Sequence, residues 1–138
     1  MCFIAVLFAT VALASSVAHA APKGCDFEFK KQNLCASMAW TKEPSSSRAG
    51  EFRLRFWDSS KGTESGPYLK PRGTVFVKLW MPAMGHGSRP VTVTETPNAP
   101  GVYNATNVYF IMGGPWEVWT QLKDGSTIVD QAKVEVEF

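Results

Sequence analysis

From Cys25 onward, apolar and polar residues alternate in short runs that Gly, Pro, Ser and Asn separate from one another. Alternation at every second residue marks a strand with one face buried and one in water, whereas a helix repeats near every 3.6 residues. No stretch carries a convincing helical period. Phe27 and Phe29 mark one inward face, Ala36, Met38 and Trp40 a second strand, and Phe52, Leu54 and Phe56, spaced by Arg53 and Arg55, a third. Thr41 to Gly50 reads as a polar loop and Asp58 to Gly73 as a long crossover between sheets. Thr74 to Met81 sets Val75, Val77, Leu79 and Met81 against Phe76, Lys78 and Trp80 on the other face. Val91 to Thr94 predicts a short strand, Val102 to Met112 a long one and Trp116 to Lys123 another. Asp124 and Gly125 then turn the chain into a last strand ending on Val134, Val136 and Phe138. This pattern predicts an all-β protein, an immunoglobulin-like β-sandwich of seven or eight strands with Greek-key connections.

The first twenty residues add an address. They carry no charged side chain, run apolar from Phe3 to Leu13, and end on Ala18, His19 and Ala20, the small-x-small pattern of a signal-peptidase site. Residues 1–20 therefore read as a secretory signal and residues 21–138 as a single β-sandwich domain, periplasmic or secreted, with no membrane span in the mature form. The apolar run is short of the roughly 20 residues that a spanning helix needs. A net charge of +2, with basic residues scattered among acidic ones, argues against nucleic acid as a partner.

Cys2 leaves with the signal, so Cys25 and Cys35 remain, and in an exported chain they are expected to pair. A tight hairpin of Cys25 to Lys30 with Leu34 to Trp40 conflicts with that bridge. It sets Cys25 opposite Ala39, beyond the roughly 7 Å between Cα atoms that a disulfide tolerates.

The chemistry concentrates in Trp80 to Pro90, where Met81, Met84 and His86 stand at the end of an alternating run, on a backbone broken by Pro82, Gly85 and Gly87. Thioether sulfur is polarisable and uncharged and prefers Cu(I) or Ag(I) to hard cations, while imidazole suits copper in either oxidation state. Met84 and His86 lie in a segment that cannot be regular strand. Met81 has two readings, since its parity with Val75, Val77 and Leu79 also fits core packing. Met112, read as the end of the long strand, offers a fourth ligand or a core contact beside Phe110. Trp80 or Trp116 can shield such an ion from water. Cleavage after Ala18 instead of Ala20 leaves His19 as an N-terminal ligand, and with His86 that makes a Cu(II) brace, the less favoured cofactor state.

Other chemistry lacks parts. No serine stands with a second mature histidine, no buried carboxylate pair is in view, and no glycine loop cradles phosphate, so an enzyme is not expected. Asn104 to Thr106 matches a glycosylation acceptor but falls within a predicted strand.

Met81, Pro82, Met84, Gly85, His86 and Gly87, followed by Pro90, Gly101, Tyr103, Met112, Gly114, Trp116 and Glu117, resemble the YtkA-like domain family. They are also similar to FixH-like periplasmic proteins and to small domains that accompany heavy-metal efflux adaptors. The resemblance covers roughly Thr74 to Phe138. It implies a small exported β-sandwich associated with copper handling or oxidase assembly. The expected function is a periplasmic Cu(I)-binding protein with Met81, Met84, His86 and Met112 as ligands, serving buffering, resistance or metallochaperone delivery to a copper efflux or oxidase-assembly protein. The competing expectation is a metal-free β-sandwich that binds a protein partner through Pro82 to Pro90.

Overall fold

The computed structural model describes residues 22–138; the signal reading and His19 lie outside them. Among the described residues there are nine strands: β1 (Phe27–Phe29), β2 (Leu34–Lys42), β3 (Gly50–Asp58), β4 (Thr74–Met81), β5 (His86–Gly87), β6 (Thr92–Glu95), β7 (Val102–Val108), β8 (Pro115–Asp124) and β9 (Thr127–Glu137). They form two antiparallel sheets, ordered β1-β2-β3-β7-β6 and β5-β4-β8-β9. Without β1 and β5, the remaining strands stand in the two-sheet order of an immunoglobulin-type domain, four strands facing three. The expected count of seven or eight is exceeded by those two short additions. No described helix is long and apolar enough to cross a membrane.

Alternation does what it predicts. Phe52, Leu54 and Phe56 from β3, Val75, Val77 and Leu79 from β4, and Trp116, Val118 and Leu122 from β8 are all buried in one core between the sheets. Arg53 and Arg55 stay partly exposed on the outer face. Large aromatic rings carry much of this core, since each removes a wide apolar area from water. Residues 59–73 cross from one sheet to the other, as their composition predicts.

The conflict between hairpin and bridge is resolved by a short ladder. Phe27 pairs with Ala36 and Phe29 with Leu34, a register that sets Cys35 opposite Glu28. The chain then leaves the ladder at Gly24, whose φ of +78° is open to glycine at little cost, and Cys25 N donates to Pro22 O. This bend folds Cys25 back over Cys35, and the two form a disulfide with Cα atoms 5.2 Å apart. Cys35 faces outward yet is fully buried, as is its cross-strand neighbour Trp57. The crossover covers them, with Gly62 packed so closely on Trp57 that a Cβ there would come within 2.9 Å of it.

One predicted strand is shorter than expected. Val102 to Met112 was expected to run as a single strand, but β7 ends at Val108. Asn107 adopts φ +60°, a left-handed conformation at a shift in register after which only Val108 still pairs with β3, and its side-chain amide donates to Thr92 Oγ1 at 3.0 Å. Ser88 Oγ then donates to the carbonyl of Tyr109, drawing the chain away from β3.

Two predictions follow from this packing. Tyr103 is buried against Phe56, and burial first, then the carboxylate of Glu95, raises its phenol from 10.0 to about 12. A proton held more tightly in the folded state stabilises the fold fully below the unfolded value. That contribution is lost as pH rises from about 10 to about 12. Chemical denaturation across this window should therefore show a steeper fall in stability for wild type than for Tyr103→Phe, and parallel curves would contradict the assignment. Replacing both Cys25 and Cys35 by Ser should lower stability by about 2–3 kcal/mol, the expectation for a loop this short. An unmoved urea midpoint would show that packing alone holds β1.

Candidate metal centre

The methionine stretch is a hairpin rather than an irregular loop. After Met81, residues 82–85 turn tightly, with Met84 N and Gly85 N both donating to Met81 O at 3.2 and 2.9 Å, and Gly85 at φ +64°. The chain therefore returns against β4, and His86 pairs directly with Met81 across the two-residue strand β5. His86 was expected outside regular strand. The turn hydrogen bonds close a tight hairpin, and its register pairs His86 with Met81 despite the glycine-rich surroundings.

The four predicted ligands divide by burial. Met81 is 4% exposed and belongs to the core, as its parity allows. Met84 is 56% exposed at the tip of the turn. His86 is half-buried. Met112 is not at a strand end but in the bend between β7 and β8, and it is 39% exposed, whereas Phe110 two residues earlier is 2% exposed. The shared parity that suggested core packing for Met112 fails because residues 109–114 do not continue the strand.

Trp116 brings these segments together. Its indole N–H donates to Met112 O at 3.0 Å, its ring meets the His86 imidazole edge-on at 5.9 Å, and Phe110 packs on it at 5.5 Å. Gly114 sits against Met81: a Cβ on Gly114 would come within 2.8 Å of the Met81 methyl, at a φ of +124°. Gly114 also exchanges backbone hydrogen bonds with Phe138 at 2.7 and 3.1 Å, which fixes the bend to the end of β9. Thus Met81 and His86 come from one hairpin, Met112 from the facing bend, and both segments rest on one buried indole.

The imidazole is oriented as a ligand would be. His86 Nδ1 lies 3.0 Å from Gly87 O. In the tautomer that donates this bond, Nε2 keeps a free lone pair, the arrangement usual for metal-bound histidine. Among the described residues no three His, Cys, Asp or Glu side chains form a metal-binding group. The donor set offered by the described residues at this end is therefore thioether sulfur with one imidazole, which suits Cu(I) or Ag(I) and disfavours hard cations.

Periodicity and motif alone do not reveal the surroundings of this set. A cleft of about 220 Å³ lined by Pro82, Ala83, Pro115, Trp116, Glu117 and Glu135 opens beside the turn. The hydrogen bond from Lys133, then that from Trp119 Nε1, hold the Glu117 carboxyl below its ordinary range. Glu117 is opposite Trp80 on the ladder, one residue from Met81, and its charge is met by Lys133. Ile111, 48% exposed, adds an apolar side chain next to Met112. Asn104 lies in β7, as expected, with its side chain bonded to Arg53 and Thr96.

The profile of the YtkA-like family matches residues 63–121. That span holds all four predicted ligands and Trp116, begins earlier than the expected Thr74 and stops short of β9. The disulfide and β1 to β3 lie outside it. No curated protein and no solved structure matches the chain.

If Trp116 holds the bend, Trp116→Phe should cost about 1–3 kcal/mol through the unpaired Met112 carbonyl and the smaller ring. Limited proteolysis should then cut within residues 109–114 faster than in wild type. Equal stability and equal cleavage would show that the bend is held by the Gly114 and Phe138 pairing alone.

Proposed function

Taking residues 63–121 as a YtkA-like domain, we propose that the protein binds Cu(I) in the periplasm or outside the cell and buffers it or passes it to a partner. Met84, His86 and Met112 are the ligands and Met81 the fourth. The observation that carries this reading is the convergence of the β4–β5 hairpin and the 109–114 bend on Trp116, with Met84 and Met112 exposed on those two segments and His86 on the hairpin, its Nε2 open in the tautomer that donates Nδ1–H to Gly87 O. A methionine exposed at the tip of a turn gains nothing from the hydrophobic effect, so its chemistry is the better reason for its position.

The mechanism is ligand exchange. Thioethers bind Cu(I) without adding negative charge, so the ion is held softly, and a partner's donors displace Met84 and Met112 from the open side one at a time. His86, set by the hairpin register, keeps the ion in place until the last step, with Met81 beneath it at the edge of the core. No covalent chemistry is required, and the protein acts as a carrier, not a catalyst. A copper efflux or oxidase-assembly protein is the kind of partner that takes such an ion.

A second reading has its own observation. Met84, Ile111 and Met112 are all exposed large apolar side chains at this end, next to the Pro82–Pro115 cleft. Adaptable side chains of this kind also suit a metal-free surface for a protein partner.

Anaerobic competition with a chromophoric Cu(I) chelator separates the two. The wild-type protein should withdraw one equivalent and change its tryptophan emission, because Trp116 adjoins His86. Met84→Leu with His86→Gln should abolish withdrawal while the far-ultraviolet spectrum and thermal midpoint stay near wild type. Tight binding retained in that double variant would overturn the assigned ligands, and no withdrawal by folded wild type would favour the partner surface.

A further inference from the structure

The four sulfur and nitrogen donors differ most in their access to solvent, and for sulfur access decides a second reaction. A thioether is oxidised to its sulfoxide by peroxide-class two-electron oxidants, and susceptibility follows exposure. Met84 at 56% and Met112 at 39% exposure stand open, while Met81 at 4% is closed off by the core and by Gly114. We propose that Met84 and Met112 are an oxidant-sensing modification site within the metal centre, whose conversion to sulfoxide switches off two of the three thioethers of the donor set while Met81 is spared.

The chemistry balances without a further reactant. One oxygen atom passes from the peroxide to sulfur; an S–O bond forms, the O–O bond breaks, sulfur loses two electrons, and hydrogen peroxide is reduced to water. The product is a polar, chiral sulfoxide whose sulfur is a much weaker donor and whose stronger donor is oxygen, a hard atom that Cu(I) disfavours. Neither position obstructs this change sterically. Met84 points from a turn tip whose backbone bonds are made by Met81 O, and Met112 contributes its carbonyl, not its side chain, to the bond with Trp116. The fold therefore tolerates the modification, whereas the same oxidation at Met81 would introduce a polar group into the core. Enzymatic reduction of the sulfoxides restores the site, so the switch is reversible.

The consequence for copper rests on the reading given under Proposed function, and the test keeps the two apart. Metal-free protein is exposed to graded hydrogen peroxide and quenched with catalase. Fragmentation mass spectrometry then locates each sulfoxide, Met81 and Met84 being resolved within their shared peptide. Met84 and Met112 should oxidise at least about tenfold faster than Met81, with the circular dichroism and thermal midpoint little changed. Chelator competition on the same samples should show Cu(I) affinity lowered about 100-fold at full modification, and recovered after treatment with methionine sulfoxide reductases. Met81 oxidising as fast as Met84, or undiminished affinity in the doubly oxidised protein, overturns the proposal. Absence of Cu(I) binding before oxidation overturns the copper reading instead, and the sulfoxide map still decides which methionines are the modification site. Met84→Leu with Met112→Leu provides a second check: the fast oxygen uptake should be lost, leaving only slower uptake at half-buried Met38 and at Met81, with the protein still folded.

Discussion

The buried indole of Trp116 is the contact on which both core and site depend. Its ring closes the end of the sandwich with Phe110, and Phe110 in turn stacks on Phe138 at 5.0 Å and meets Trp40 at 6.4 Å. Its N–H answers a carbonyl in a bend that has left the β ladder. Its other edge meets His86. A residue in that position couples what the sheets bury to what the loops expose. The site thus inherits its geometry from the core rather than from loop interactions alone.

What the alternation pattern predicts is what alternation physically controls, namely which side of a strand meets the other sheet. β4 spans the expected Thr74–Met81, and the inward set of β3 is the predicted one. Patterning fails where a contact distant in sequence decides. Val102 to Met112 is rich in strand-favouring residues, and nothing local distinguishes Val108 from Ile111. The ladder shifts at the left-handed Asn107 and ends after Val108, where Ser88, twenty-one residues away in sequence, bonds to Tyr109. Trp57 escapes for a related reason: its parity points outward, and only the fold of the crossover shows that its outward face is buried beneath Gly62.

The candidate donors were legible as types and less so as environments. Two thioethers and an imidazole near one strand end are visible in sequence, and so is the turn chemistry of Pro82 and Gly85. Their division into a fixed pair and an exposed pair is not, because it depends on the register that pairs His86 with Met81 and on the loss of strand at Met112. The same applies to the disulfide. Its two cysteines are evident, but the bend at Gly24 that reconciles it with the hairpin is a backbone conformation that the spacing alone leaves open.

That division has a physical logic on the copper reading. A donor set buried throughout would bind firmly and release slowly, since each exchange would require opening the core. A set exposed throughout would spend conformational entropy on ordering every side chain around the ion. Here Met81 and His86 are already ordered by the hairpin, so their ordering cost falls on folding rather than on binding. Met84 and Met112 retain rotamer freedom until an ion arrives, which weakens the hold and leaves them accessible to incoming donors. The same exposure that permits exchange admits small oxidants, and a soft site built for transfer is oxidisable for that reason. Burial of Met84 and Met112 would remove both properties together, because access of a partner's ligand and access of peroxide require the same open side of the sulfur.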